Sequence, residues 1–350
     1  MTNAEHVLDA EAVATPSLRP AVKRRGRRVS ATQLGFHPVT CALLLAQIGA
    51  GIAIGIACRA AGFTATGGLQ GLVGHYGPAA LLLLFWMIHY TQPDSRKREW
   101  WTAEAALGFG LVLLGTAILA PAQYLAASFN RPLIDGWLAA ADRVMGLHVP
   151  TLAAWTKAHP HIGDLLSFAY RTLAPQAGFV IGLIWWKRDR LALWEYVVTF
   201  HLCAFITIAA SALWPAAGAF TYYGFTSTLD QSRFIDHFQA LRQGTMTFIP
   251  FGDIEGLISM PSFHVIGGLL LTWAVRRTSF LLPMALLNTL LIISTVMTGA
   301  HYAVDVLGGF LTWGTAVLAY RCLWARHVPA LDLEDQSAAS ERNARVVPIG

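Results

Sequence analysis

Two short stretches of the chain carry side chains suited to chemistry on phosphorus: Pro261-Ser262-Phe263-His264 and Gly299-Ala300-His301-Tyr302-Ala303-Val304-Asp305. Each stands at the mouth of an apolar segment. His301 and Asp305 are at i and i+4, so on a helix they share a face, and the carboxylate can accept a hydrogen bond from one ring nitrogen. That bond fixes the tautomer and leaves the other nitrogen free to attack. His264 opens a different apolar segment. Pro261 and Ser262 before it read as a helix start, with Pro near the first turn and Ser as the cap. Helix starts present backbone N–H groups that bind phosphate. One histidine in so apolar a chain is ordinarily a hydrogen-bonded structural residue. Three ionisable groups at the ends of two apolar segments are different, because titratable groups at membrane depth are costly and mark function.

These residues need apolar elements to hold them, and the composition supplies them in excess. Hydrophobic residues make up 55% of the 350-residue chain and charged residues 13%, with a mean hydropathy of +0.49. That balance excludes an ordinary soluble domain and predicts an all-α polytopic membrane helical bundle. Runs long enough to cross a bilayer occur about eight times, at 39–62, 72–92, 103–128, 164–186, 191–214, 261–275, 279–299 and 302–324, the sixth being short. Residues 1–38 and 325–350 are polar and read as disordered cytoplasmic tails. Between them, 39–102 reads as two N-terminal transmembrane helices and 103–324 as the membrane domain carrying the histidines. The long polar lead and the length of the first span do not fit a cleaved signal peptide, so this span is expected to persist as a helix.

The basic residues orient the bundle. With the N-terminus cytoplasmic and every span crossing, the inner segments hold Lys23-Arg24-Arg25-Gly26-Arg27-Arg28, Arg96-Lys97-Arg98, Lys187-Arg188 with Arg190, Arg276-Arg277, and Arg321 with Arg326. With the tails included, 18 Lys and Arg fall inside and 7 outside, satisfying the positive-inside rule at each inner loop. His264 and His301 then both open at the outer face and can share a pocket. The cluster at 23–28 reads as a topology anchor on anionic lipid in preference to a nucleic-acid patch. Cys41, Cys58, Cys203 and Cys322 lie in or at the ends of spans with no CxxC spacing, which points to neither a disulfide framework nor a zinc site.

Two outer segments are long. Residues 129–163 hold Pro132-Leu133-Ile134-Asp135-Gly136-Trp137-Leu138 and Ala141-Asp142-Arg143, with apolar residues at helical spacing, and predict an amphipathic helix lying at the interface. Residues 215–260 run through Tyr222-Tyr223 and Arg242-Gln243-Gly244 to Asp253 and Glu255, and read as a lid or substrate collar leading into His264. A transferring phosphoryl group needs cationic or N–H donors aimed at its oxygens. Arg242 is the first candidate for that clamp. Arg171 is the second: it lies a turn or two into the fourth span beside Tyr170, where a desolvated cation needs a partner, either Asp164 or phosphate. His201, mid-span, reads as an interhelical hydrogen-bonding residue. His159 and His161 have no carboxylate or cysteine partner at ligand spacing, so no metal is expected. Gly308 and Gly309 read as a tight helix contact.

Pro261-Ser262-Phe263-His264 and His301-Tyr302-x-x-Asp305 resemble the PSxH and HYxxD motifs of the phosphatidic acid phosphatase type 2 superfamily, in its inositolphosphotransferase branch, which includes inositol phosphorylceramide synthase. The resemblance covers roughly residues 120–324. It implies a six-helix catalytic core and no cofactor. By the resemblance, His301 attacks phosphorus and forms a phosphohistidine, Asp305 orients it, His264 protonates the leaving alcohol, and Ser262 helps to hold a phosphate oxygen. The partners implied are a phospholipid or other lipid phosphate and a lipid alcohol acceptor.

The departures from the common phosphatase pattern are specific. Phe263 stands where that pattern has glycine, and Thr295 where it has an arginine six residues before the nucleophile. Its upstream Lys-x6-Arg-Pro is half met by Tyr124 and Arg131-Pro132. The resemblance therefore implies a membrane lipid phosphotransferase, with a lipid phosphate phosphatase as the alternative. A transporter or inactive protein of the same fold is disfavoured, because the ionisable residues gather at one face and no internal duplication is visible. Vanadate-dependent haloperoxidases share the histidine pocket, but lipid-facing spans point to a lipid substrate.

Overall fold

The computed structural model describes residues 38–91, 100–227, 229 and 232–323. The basic cluster at 23–28, the run at 96–98 and the two polar tails, residue 38 apart, lie outside the described residues. In chain order the elements are α1 (Pro38–Ala60), β1 (Thr64–Thr66), α2 (Gly68–Thr91), α3 (Trp100–Ser128), α4 (Asp135–Val144), α5 (Val149–Ala158), α6 (Pro160–Arg171) and α7 (Leu173–Lys187). They continue with α8 (Arg190–Leu213), α9 (Ala219–Tyr223), α10 (Ser232–Arg242), β2 (Phe248–Pro250), α11 (Phe263–Ala274), α12 (Leu281–Met297) and α13 (Ala303–Leu323). The architecture is an all-α polytopic membrane bundle. Spans in α1, α2, α3, α8 and α13 are long and apolar enough to cross a membrane, and α11 and α12 are shorter apolar helices.

The fourth expected span, 164–186, is not one helix. It is broken at Thr172 between α6 and α7. Pro175 explains the break: it has no N–H to offer the carbonyl four residues back, that of Arg171, and its ring would clash there. Thr172 closes the end of α6 instead, its hydroxyl donating to Ala169 O at 2.6 Å. The sixth span is also modified. At 12 residues α11 is about 18 Å long, well short of a hydrocarbon core of about 30 Å, so it is too short to cross one by itself.

A buried cluster centred on α3, α8 and α11, including Leu107, Leu111, Leu193, Val197 and Ile266, forms the middle of the bundle. In lipid such contacts act through close packing more than through water exclusion. Gly309 shows how close: a Cβ there would stand 2.8 Å from Val265, so glycine is what lets α13 lie against α11. His201 bonds between helices, with Nδ1 2.6 Å from Val197 O, Nε2 3.2 Å from Leu111 O on α3, and a further contact to Gln47 on α1.

The elements between the spans gather at the end where α11 and α13 begin, forming a collar. The expected interfacial helix is two helices, α4 and α5, and the segment 215–260 contains α9, α10 and β2. Among the described residues the only strands are β1 and β2, which pair in parallel with Thr64 opposite Phe248 and Thr66 opposite Pro250. The end of α3 holds the collar down. Gln123 donates to Glu255 O at 3.0 Å and accepts from Leu257 N at 2.8 Å, while the Tyr124 hydroxyl accepts from Glu255 N at 2.9 Å.

Candidate active site

The start of α11 and the start of α13 meet under the collar and bring His264 and His301 together, with ring centroids 6.2 Å apart. His264 is held by stacking on Tyr170, the rings 3.9 Å apart and inclined by 23°. His301 is fixed from its backbone, whose N–H donates to Thr295 O at 2.9 Å. Gly299 allows that turn: its φ is +84°, and a Cβ would come within 2.4 Å of the Phe225 ring. His301 Nδ1 faces Asp305 Oδ2 at an ion-pair distance of 3.4 Å; His301 precedes α13, so it is the bend before the helix and not a shared helix face that brings the two together. The same Asp305 oxygen accepts from Tyr302 N at 3.0 Å and from the Ser259 hydroxyl at 3.5 Å.

Ser262 is the residue before α11, as expected of a cap, but its hydroxyl makes no capping bond. Its backbone N–H instead donates to Asp305 O at 3.4 Å, which ties the two helix starts together. Ser262 Oγ, His301 Nδ1 and Asp305 Oδ1 are all buried without a hydrogen-bond partner among the described residues. The first-turn N–H groups of Phe263, His264 and Val265 have no backbone acceptor among the described residues. A helix start with orphan donors and an unused hydroxyl beside it is a setting for an anion.

The start of α13 is different, because it is already filled. Asp142 accepts from Ala303 N and Val304 N, both at 2.9 Å. Asp135 accepts from Ala217 N at 2.9 Å, Gly218 N at 3.0 Å and the Tyr302 hydroxyl at 3.0 Å. The two aspartates are seven residues apart on α4 and share its buried face with Leu138 and Ala139, while Trp137 is 80% exposed. Burial raises both carboxyls above the usual range, opposed by the N–H groups that they accept from. Sequence reasoning passed over these residues as part of an interfacial helix. The available signal was the seven-residue spacing with Leu138 between, which puts both on one face.

The expected phosphate-clamp residues separate. Arg171 ends α6, exposed, one residue after the Tyr170 that stacks on His264, and no ion pair joins it to Asp164 among the described residues. Arg242 ends α10, and its Nη2 donates to Arg131 O at 2.9 Å. It lines a collar cavity whose lining includes neither histidine. Tyr124, at the position of the common pattern's lysine, is fully buried and bonded to His237 Nδ1 at 2.8 Å. Thr295, at the position of the missing arginine, donates to Ile292 O at 2.7 Å. His159 Nδ1 lies 2.8 Å from Trp155 O.

A family model described as the PAP2 superfamily matches residues 136–319. The chain belongs to the PAP2 superfamily. The match runs from α4 into α13 and takes in Asp142, His264, His301 and Asp305, with Asp135 one residue before it. No curated protein and no solved structure matches the chain. Membership makes the protein an integral membrane enzyme of the lipid phosphatase or phosphotransferase type.

Proposed function

We propose that the protein moves a phospho-headgroup from one membrane lipid to the hydroxyl of another, through a phosphohistidine on His301. The observation that carries this reading is the pair of histidine rings 6.2 Å apart at the open start of α11, a gap suited to one phosphoryl group. With Nδ1 turned to Asp305, Nε2 of His301 holds the lone pair that attacks phosphorus. The bond from phosphorus to the donor lipid's oxygen breaks, and protonated His264 gives that oxygen its proton. Neutral His264 then takes the proton of the acceptor hydroxyl, whose oxygen attacks phosphorus, breaks the P–N bond and restores His301. Ser262 Oγ and the first-turn N–H groups of α11 hold the equatorial oxygens.

A phosphodiester carries one charge at the reacting phosphorus, and a phosphomonoester up to two. No arginine is bonded or ion-paired to Ser262, His264, His301 or Asp305 among the described residues, and this favours the diester and hence the transferase of the inositolphosphotransferase-like branch. Arg171, exposed next to the Tyr170 that stacks on His264, would meet the incoming headgroup. The basic residues of the sequence support cytoplasmic termini with the site at the periplasmic or lumenal face.

The test is to supply the purified protein, in detergent micelles, with phosphorus-labelled phosphatidylinositol, phosphatidylglycerol or phosphatidic acid, with and without ceramide or diacylglycerol. Label in a new lipid that depends on both the acceptor and His301 is expected. Free phosphate as the sole product would make water the acceptor and the protein a lipid phosphate phosphatase. No turnover of any lipid would count against catalysis.

A further inference from the structure

Among the described residues three arginines are partly buried: Arg190, Arg242 and Arg276. Arg190 holds Glu104 and Arg276 holds Glu195, each at 2.6 Å. Arg242 has no carboxylate within ion-pair distance among the described residues. Besides its bond to Arg131 O, its guanidinium lies 5.5 Å over the Phe238 ring, and its Nη1 is buried without a hydrogen-bond partner among the described residues. It senses the charge of Asp135, but both oxygens of that carboxylate are committed to Ala217, Gly218 and Tyr302. A partly desolvated guanidinium without a contacting anion is an unusual expense in a folded protein.

Arg242 also lines a cavity of about 630 Å³. Phe234, Phe238 and Arg242, at i, i+4 and i+8 of α10, contribute one wall; Ala217 and Thr221 also line it, and exposed Gln239 stands at its rim. Thr221 Oγ1 is a second buried polar atom without a partner among the described residues. We propose that this cavity binds a phosphate-type oxyanion on Arg242, apart from the phosphate that reacts at the histidines. Its use as a headgroup subsite rests on the transfer reading above; its capacity to bind the anion does not. The cavity adjoins the reaction centre through one chain of contacts. Ala217 lines it, the N–H of Ala217 goes to Asp135, and Asp135 holds the hydroxyl of Tyr302, the neighbour of His301.

The test is to titrate the full chain in detergent with inorganic phosphate, following heat release and unfolding temperature, in the wild type, His301→Ala, Arg242→Gln and Gln239→Trp. The expected result is that His301→Ala keeps a phosphate-binding event that Arg242→Gln weakens at least about tenfold, the loss of one charge-assisted contact. Gln239→Trp, which blocks the rim from an exposed position, should weaken it similarly, and it decides the matter if Arg242→Gln does not fold. Short-chain phosphatidic acid that competes with phosphate in His301→Ala would identify a lipid headgroup as the occupant; failure to compete would identify free phosphate. Equal phosphate affinity in Arg242→Gln and Gln239→Trp, or its loss in His301→Ala, would overturn the proposal. Since binding is read and not turnover, absence of lipid transfer would leave this result standing.

Discussion

The two ends of the bundle handle buried carboxylates in opposite ways. At the far end, Glu104 accepts from Arg190 and from Trp194 Nε1 at 2.7 Å, and Glu195 accepts from Arg276 and from Trp273 Nε1 at 2.8 Å. At the collar end, Asp135, Asp142 and Asp305 accept from backbone N–H groups and hydroxyls, with His301 Nδ1 3.4 Å from Asp305 Oδ2 and, among the described residues, no arginine among their bonded partners. Cation-paired glutamates fasten helices side by side. Aspartates filled by main-chain dipoles fix the path of a turn and leave cations unspent. The collar end can therefore hold histidines in register while keeping donors for an anion that arrives later.

The contrast can be broken from either side. The largest effect is expected from His301→Ala, which should lower lipid turnover by at least about three orders of magnitude without changing the amount of protein in the membrane, as loss of a nucleophile does. Retention of most activity would sink the phosphohistidine mechanism. Asp142→Ala comes next. It leaves the N–H groups of Ala303 and Val304 unpaired at about 1–3 kcal/mol and shifts the start of α13, so turnover should fall about 10–100-fold. Unfolding in detergent and kcat read the two separately, and a stability loss with unchanged kcat would make Asp142 merely structural.

Tyr170→Leu removes the ring stacked on His264, an interaction of about 0.5–1.5 kcal/mol. Turnover should drop about two- to tenfold, with the alkaline limb of the kcat/KM pH profile displaced, since His264 must be protonated to serve the leaving oxygen; an unchanged profile would mean that the stack does not set His264. The smallest effect on turnover belongs to the far end. Glu195→Ala leaves Arg276 partly buried and unpaired and should cost about 3 kcal/mol of stability while kcat stays within about twofold. A large fall in kcat would show that the two ends are not independent.

Much of this was legible in the sequence because it depends on short-range spacing. His301 and Asp305 are four residues apart and do meet, although His301 stands before α13; Ser262 precedes His264; and the apolar runs mark a membrane bundle, although among the described residues five helices, against the eight runs counted, are long and apolar enough to cross. The pairing of His264 with His301 followed from chain direction alone. What escaped depends on which face of an element packs. In α4 the exposed Trp137 led the amphipathic reading, yet Asp135 and Asp142 occupy the buried face, because the start of α13 and the 217–218 turn supply the donors that make burial tolerable. The break at Thr172 has a signal in Pro175, which reading the apolar run by its length alone passes over. The capping role expected of the Ser262 side chain was wrong for a similar reason. Position predicts a cap, but the hydroxyl is unpartnered and Asp305 takes up the Ser262 N–H from outside the helix.

The parallel pairing of β1 with β2 bears on how the molecule is made. Thr64 Oγ1 and Thr247 O lie 3.4 Å apart but are separated by 183 residues. During synthesis the first hairpin of helices enters the bilayer long before its partner strand exists. Contacts of such separation form late, after the loop entropy has been overcome by everything between them. The pairing therefore cannot form before residues 248–250 have been made, and His264 and His301, which lie farther along the chain, come later still.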